Sequence, residues 1–284
     1  MNRSLRWLCV VAVTTLVTLA SAHAEDRWLT LPEPPAMPEA MESGYAPVNG
    51  IDMYYAVYGA GDPVLLIHGG LGHADVWASQ VSALMGTHKV IVADSRGHGR
   101  STRTAEPYGY DLMASDFLAL LDYLKIDKVA LVGWSDGGII GLDIAMMHPE
   151  RLTKLFAHAA NVTVDGVNPD VMSAPAFAAY MERMGVDYKL LSKTPTEYDA
   201  FVEQISGMWF GEPAWTAQQL GTITTPTWVV LGDHDEAIFR DHTEKFAAWI
   251  PGAKLVILDA VGHVAMWQDP AGYTKAIEDF LAAP

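Results

Sequence analysis

Six short apolar runs, each closed by glycine or a polar residue, set the tightest limit on how this chain can fold. They are Val64–Ile67, Val90–Ala93, Val129–Val132, Leu155–Ala157, Trp228–Leu231 and Leu255–Leu258. Continuous apolar runs of this length suit strands covered on both faces of a parallel sheet. Ile51 to Tyr58 alternates like a further strand and leads into the turn Gly59 to Asp62. Helical patterns lie between the runs, at Leu112–Leu124 and Ile139–Met147, and Ala271–Leu281 closes the chain. Alternating strand and helix predicts an α/β fold with a mostly parallel, doubly wound sheet.

One stretch breaks the alternation. Residues 164–225 show no strand pattern and read as helices separated by Pro169, Pro175, Pro195 and Pro213. A helical insertion between two core strands would act as a lid over the sheet's C-terminal edge, where ligands of α/β proteins sit. Its many aromatic and methionine side chains would make the pocket apolar and adaptable. The core then comprises residues 44–163 and 226–284, preceded by an arm at 25–43. Leu31 to Pro38 carries four prolines, so this stretch is expected as an extended tether or surface arm without helix.

With 284 residues, half of them hydrophobic, the chain can bury a sizeable core, which excludes a mainly disordered protein. Acids outnumber bases 34 to 18, giving a net charge of −16. That charge argues against nucleic acid or an anionic membrane surface as partner. A single cysteine, Cys9, excludes a disulfide framework or a cysteine-rich metal site.

The first 24 residues read as a signal peptide. Arg3 and Arg6 precede the apolar stretch Trp7–Ala20, and Ala22-His23-Ala24 supplies a small-x-small cleavage pattern. The alternative, an uncleaved anchor, meets an apolar run shorter than the ~18–20 residues that span a bilayer. Cleavage near Ala24 would remove Cys9, Arg3 and Arg6, taking the net charge from −16 to −18. The expected location is periplasmic or secreted, with no stable membrane insertion of the mature chain.

The strongest chemical signal is Gly133-Trp134-Ser135-Asp136-Gly137, directly after one apolar run and directly before a helical pattern. In this strand–turn–helix setting, G-x-S-x-G marks an elbow that lifts a serine hydroxyl clear of the backbone. The serine takes a positive φ, and the glycines two residues away leave room for the chains to pass. A serine nucleophile needs a base, and the base needs an orienting acid. His263 follows the run Leu255–Leu258, and Asp235 follows Trp228–Leu231, which gives the order Ser135, Asp235, His263. Asp233 is the runner-up acid, and Asp241 falls on the following helix. Read instead as a calcium loop, Asp233, Asp235 and Glu236 lack the required donor spacing.

A tetrahedral intermediate needs two backbone N–H donors. Asp136 supplies one, and Gly70 in His68-Gly69-Gly70-Leu71 the other, with Leu71 as the alternative. His68 is read as a loop anchor.

Taken together, His68-Gly69-Gly70, Asp94 to Ser101, Gly133 to Gly138, Gly232 to Asp235 and Gly262-His263 resemble the α/β-hydrolase superfamily. The resemblance runs from about Gly44 to Ala283. The elbow, with Ala159-Ala160-Asn161 beyond it, is most similar to the valacyclovir hydrolase (biphenyl hydrolase-like) group of serine esterases. That resemblance implies a carboxylesterase-type serine hydrolase acting on a small-molecule ester, with no metal or organic cofactor required. It also implies a substrate contact for Trp134, and the ammonium of an amino-acid ester on the Asp136 carboxylate. Against the second stands the reading in which only the Asp136 N–H matters. Arg96 resembles a structural arginine of the superfamily. An aminopeptidase of proline-iminopeptidase type, a lactonase, and a non-catalytic binding protein of the same fold are the alternatives. The insertion carries eight acids and three bases, which disfavours polyanionic substrates and suits neutral or cationic ones.

Overall fold

A computed structural model describes residues 26–284; the expected signal peptide and Cys9 lie outside the described residues. The chain opens with a 3-10 turn, Arg27–Leu29, and an extended arm that carries the prolines. β1 (Glu42–Val48) and β2 (Ile51–Tyr58) then form an antiparallel hairpin. Its turn is Asn49-Gly50, with φ of 44° and 78°. A two-residue turn with both φ positive matches the twist of paired strands, and Asn-Gly enters it at least cost.

The remaining elements alternate. β3 (Asp62–Ile67), α1 (Ala78–Leu84), β4 (His88–Ala93), α2 (Tyr110–Tyr123), β5 (Val129–Trp134), α3 (Asp136–Met147) and β6 (Leu152–His158) build the first part of the core. α4 (Pro175–Leu191), α5 (Tyr198–Trp209) and α6 (Ala217–Leu220) form the helical insertion. β7 (Thr227–Gly232), α7 (Arg240–Ala247), β8 (Lys254–Leu258), α8 (Ala265–Gln268) and α9 (Pro270–Ala282) complete the chain.

The eight strands lie in the order β1-β2-β4-β3-β5-β6-β7-β8. β2 pairs antiparallel with both neighbours, and every pairing from β4 to β8 is parallel. Each apolar run of the sequence is a strand of this sheet, and β3, β4 and β5 are buried over Val64–Ile67, Val90–Ala93 and Val129–Trp134. β1 was not expected. Gly44 and Pro47 interrupt its apolar pattern, and the hairpin turn is its clearest trace.

α3 is buried from Asp136 to Ala145, so it is apolar on almost every side, as a helix enclosed by core must be. α9 closes the far side, where Phe280 packs edge-on against Phe156 and Trp228. In the insertion, Tyr188 of α4 stacks on Phe201 of α5, with ring centroids 5.1 Å apart. Phe201 in turn meets His98 edge-on, which ties the insertion to the core loop after β4. Burying one such ring stabilises by roughly 2–3 kcal/mol. The parallel strands leave the C-terminal ends of β3, β5, β7 and β8 along one edge, and the candidate residues follow those ends.

Candidate active site

The turn after β5 holds Ser135 at φ 53° and ψ −119°. A non-glycine residue held in that region costs about 1–3 kcal/mol, so the surroundings must impose it. Here they do so through the backbone. The Ser135 N–H donates to the His158 carbonyl at 2.8 Å, and its own carbonyl accepts from Gly138 and Ile139. A Cβ on Gly133 would collide with the Gly137 carbonyl, and one on Gly137 with the Ile67 carbonyl. The two glycines are therefore a packing requirement of three crossing chains. Ser135 stands at the N-terminus of α3, whose free amides favour negative charge.

The loop after β7 presents Asp235. Its Oδ1 accepts the Ala237 and Ile238 amides at 2.9 and 2.8 Å, which fixes the carboxylate. Both oxygens then lie 3.1 Å from His263 Nδ1. His263 therefore donates from Nδ1 and leaves the Nε2 lone pair available as a base. The other two acids lie elsewhere: Asp233 accepts the Val261 amide, and Asp241, on α7, accepts the His242 amide. Burial works against a charged His263, but the charge and hydrogen bond of Asp235, then Glu236 and Asp136, outweigh it and raise its pKa.

His263 is also held by its main chain. Its N–H donates to Glu236 Oε2 at 2.9 Å, and its carbonyl accepts from Trp134 Nε1 at 2.8 Å. The residue before Ser135 thus grips the residue that bears the base. Trp134, expected to touch substrate, is 1% exposed and spends its one donor on this bond. Its ring also packs edge-on against Tyr180 of α4.

At the end of β3, His68 Nε2 accepts the Ser95 amide at 2.9 Å, so Nδ1 carries the proton and donates to the Gly69 carbonyl at 2.7 Å. Burial lowers its pKa to about 4, and it is a neutral loop anchor. The Gly70 carbonyl accepts from Tyr180 of α4 at 2.7 Å. Leu71 follows at φ 61°. Among the described residues, the amides of Gly70, Leu71 and Asp136 donate to no protein acceptor. Arg96 makes a buried two-bond pair with Asp116 at 2.7 and 2.8 Å, which secures the loop after β4.

Asp136 is the unusual residue of the site. Its carboxylate accepts from Tyr110 Oη at 2.9 Å and from Trp209 Nε1 at 2.9 and 3.1 Å. Among the described residues no lysine or arginine pairs with it. Burial, opposed by the bonds from Trp209 and Tyr110, pushes its pKa up to about 6. The sequence does not mark Tyr110, and it shows Tyr180 and Trp209 only among the many aromatic side chains of the insertion. The two insertion residues reach the core across more than seventy positions, and no local motif marks such a contact.

Two surface hollows of about 340 and 700 Å³ lie away from this cluster. The first is lined by Lys89 and Lys125–Lys128, the second by the arm and α4.

A sequence profile of the alpha/beta hydrolase fold matches residues 62–188, from β3 into α4. The chain has the alpha/beta hydrolase fold. Serine hydrolase BPHL of Mus musculus is 27% identical over 261 residues, covering 85% of this chain and 87% of that protein. The 2-hydroxymuconate semialdehyde hydrolase of a Pseudomonas species is 28% identical over 249 residues, 79% of this chain and 88% of its own. A solved N-acyl homoserine lactone degrading enzyme superposes with a TM-score of 0.72 at 26% identity, covering 84% of this chain and all of that one. Within this fold, the chain places its helical insertion between β6 and β7 and its candidate residues at the ends of β3, β5, β7 and β8.

Proposed function

We propose that the protein is a serine hydrolase of small carboxylic esters, with Ser135 as nucleophile, His263 as base and Asp235 as its orienting acid. The observation that carries this is the Asp235 carboxylate on His263 Nδ1, in a loop pinned by the residue next to Ser135. Ser135 Oγ attacks the ester carbonyl carbon while His263 Nε2 takes the hydroxyl proton. The carbonyl oxygen becomes an oxyanion facing the Gly70 and Asp136 amides. When the carbon–oxygen bond breaks, His263 returns the proton to the leaving alcohol. Water, deprotonated by His263, then attacks the acyl-enzyme and releases the acid and Ser135. Losing one oxyanion donor costs ~3 kcal/mol, a hundredfold or more in rate.

The names of similar proteins support hydrolysis: a serine hydrolase, a semialdehyde hydrolase and a lactone-degrading enzyme. The last keeps a lactone in view as a second substrate class, because ring opening uses the same steps. The acidic insertion favours neutral or cationic substrates. The Asp136 carboxylate, buried beside Ser135 without a cationic partner, is the group that would receive an ammonium. A carboxylate has about four acceptor directions, so the bonds from Tyr110 and Trp209 leave capacity for one more donor. Export through the signal peptide to the periplasm or medium belongs to the same proposal.

A panel of p-nitrophenyl esters, thioesters, lactones and aminoacyl arylamides tests the reading. Esters should turn over fastest, with Ser135→Ala inactive on all. Arylamides cleaved faster than esters would replace it with a peptidase. An amino-acid ester should exceed its deaminated analogue in kcat/KM, and Asp136→Asn should erase the preference. A preference that is absent, or unchanged in the variant, would remove Asp136 from substrate binding.

A further inference from the structure

The arm before β1 is not a loose tether. Arg27 Nε donates to the Ala260 carbonyl and Nη2 to the Asp259 carbonyl, both at 2.7 Å. Its Nη1 pairs with Asp269 at 3.1 Å. These carbonyls belong to the loop between β8 and α8 that ends in His263. The Trp28 ring stacks on His234, next to Asp235, with centroids 3.8 Å apart and planes 11° apart. Gln268 joins the same parts: its Nε2 donates to the Trp28 and Thr30 carbonyls at 3.1 and 3.0 Å, while its Oε1 accepts the Gly262 amide at 2.6 Å.

The next turn of the arm holds the insertion. Arg183 of α4 donates to the Pro32 and Leu31 carbonyls at 2.8 and 3.1 Å and pairs with Glu33 at 2.7 Å. α4 is the helix whose Tyr180 holds the Gly70 carbonyl. Within seven residues, then, the arm is bonded to the histidine loop at one end and to the oxyanion-side helix at the other.

We infer that residues 27–33 are a positioning strap of the active site, fixing His263 against Asp235 and setting α4 over the Gly70 loop. This rests on the reading of Ser135, Asp235 and His263 as the reacting set. The loop 259–263 has almost no regular structure of its own, and each residue in it is held by a partner from elsewhere. Asp233 takes the Val261 amide, Glu236 and Trp134 take the ends of His263, and Arg27 takes two consecutive carbonyls. Arg27 is the anchor that a truncation at the start of the sheet would remove. Its fork suits two adjacent carbonyls, which a lysine cannot bridge in the same way.

The test uses the full mature chain, p-nitrophenyl butyrate, and the low-field proton resonance of the His263 Nδ1–H bond to Asp235. Arg27→Ala should lower kcat about tenfold with KM unchanged and should broaden that resonance, with Arg27→Lys in between. Gln268→Glu keeps the Gly262 acceptor but turns a carboxylate toward the arm carbonyls, so it should copy the Arg27→Ala defect. The double variant should lose no more than the worse single one, because both act through the same segment. Wild-type kcat and an unbroadened resonance in both variants would overturn the strap, as would a loss confined to Tm. Failure of the wild type to hydrolyse any ester would instead overturn the proposed function, and the resonance would still read whether the strap orders His263.

Discussion

The turn that carries Ser135 and the loop that carries His263 are held in opposite ways. Ser135 sits between a strand and a helix that follow one another, and its geometry is imposed by main chain: the bond of its N–H to the His158 carbonyl, its own carbonyl's bonds to Gly138 and Ile139, and two glycines that let neighbouring chains pass. The loop ending in His263 is held by side chains from positions 27, 134, 233, 236 and 268. One half of the site is a local backbone device and the other a distributed one. A nucleophile need only be lifted out and aimed, which main-chain contacts of the turn with its own helix and the neighbouring strands achieve. A base must be held against both an acid and a hydroxyl, and that requires partners from several elements.

The largest effect is expected at the acid. Asp235→Asn should lower kcat about 10⁴-fold, because the amide favours the wrong imidazole tautomer. Asp233→Asn should cost far less, since Asp233 accepts the Val261 amide and lies 3.9 Å from His234 but does not meet His263. A larger loss at Asp233, measured by steady-state kinetics on one ester, would reverse the assignment.

The local half should fail by unfolding. Gly137→Ala would drive a methyl into the Ile67 backbone, and denaturant unfolding should show a loss of about 3 kcal/mol or more. A Gly137→Ala protein of wild-type stability would show that the turn has slack.

The distributed half should respond more gently, through the charge around His263. Its pKa is raised, so the imidazolium persists to higher pH than in an ordinary histidine and kcat/KM falls as pH drops through that value. Glu236→Gln keeps an acceptor for the His263 amide but removes a charge that raises the pKa. The acid limb should move to lower pH while the plateau changes only a few-fold. An unmoved limb would mean that Glu236 acts through its hydrogen bond alone.

The smallest expected effect concerns Asp136, whose carboxyl titrates at about 6 because burial disfavours its charge. The ratio of kcat/KM for an amino-acid ester over its deaminated analogue should be full above that pH and decline below it, as Asp136 takes up a proton. Using the ratio cancels the titration of His263. Trp209→Phe removes a donor that lowers the Asp136 pKa, so the decline should begin at higher pH.

The same contrast explains what could be read in the sequence. The strands of the parallel sheet are apolar runs, and the elbow is five consecutive residues whose types are dictated by sterics. Both are local, and both are visible. The hairpin strand β1 was obscured by Gly44 and Pro47, although Asn49-Gly50 marked its turn. Glu236 stood in view as one of three clustered acids, yet its bond to the His263 amide depends on how two loops meet. Arg27, Gln268 and Trp209 carry no motif, because their roles lie in contacts that only the folded chain creates.

In the proposed mechanism Ser135 is activated by His263 and Asp235. Intact-protein mass spectrometry after treatment with a fluorophosphonate tests it most directly. Expected are one phosphonyl adduct per wild-type chain, mapped to Ser135, none on Ser135→Ala, and strongly slowed labelling of His263→Ala. An unlabelled wild type, or equal labelling of Ser135→Ala, would contradict it.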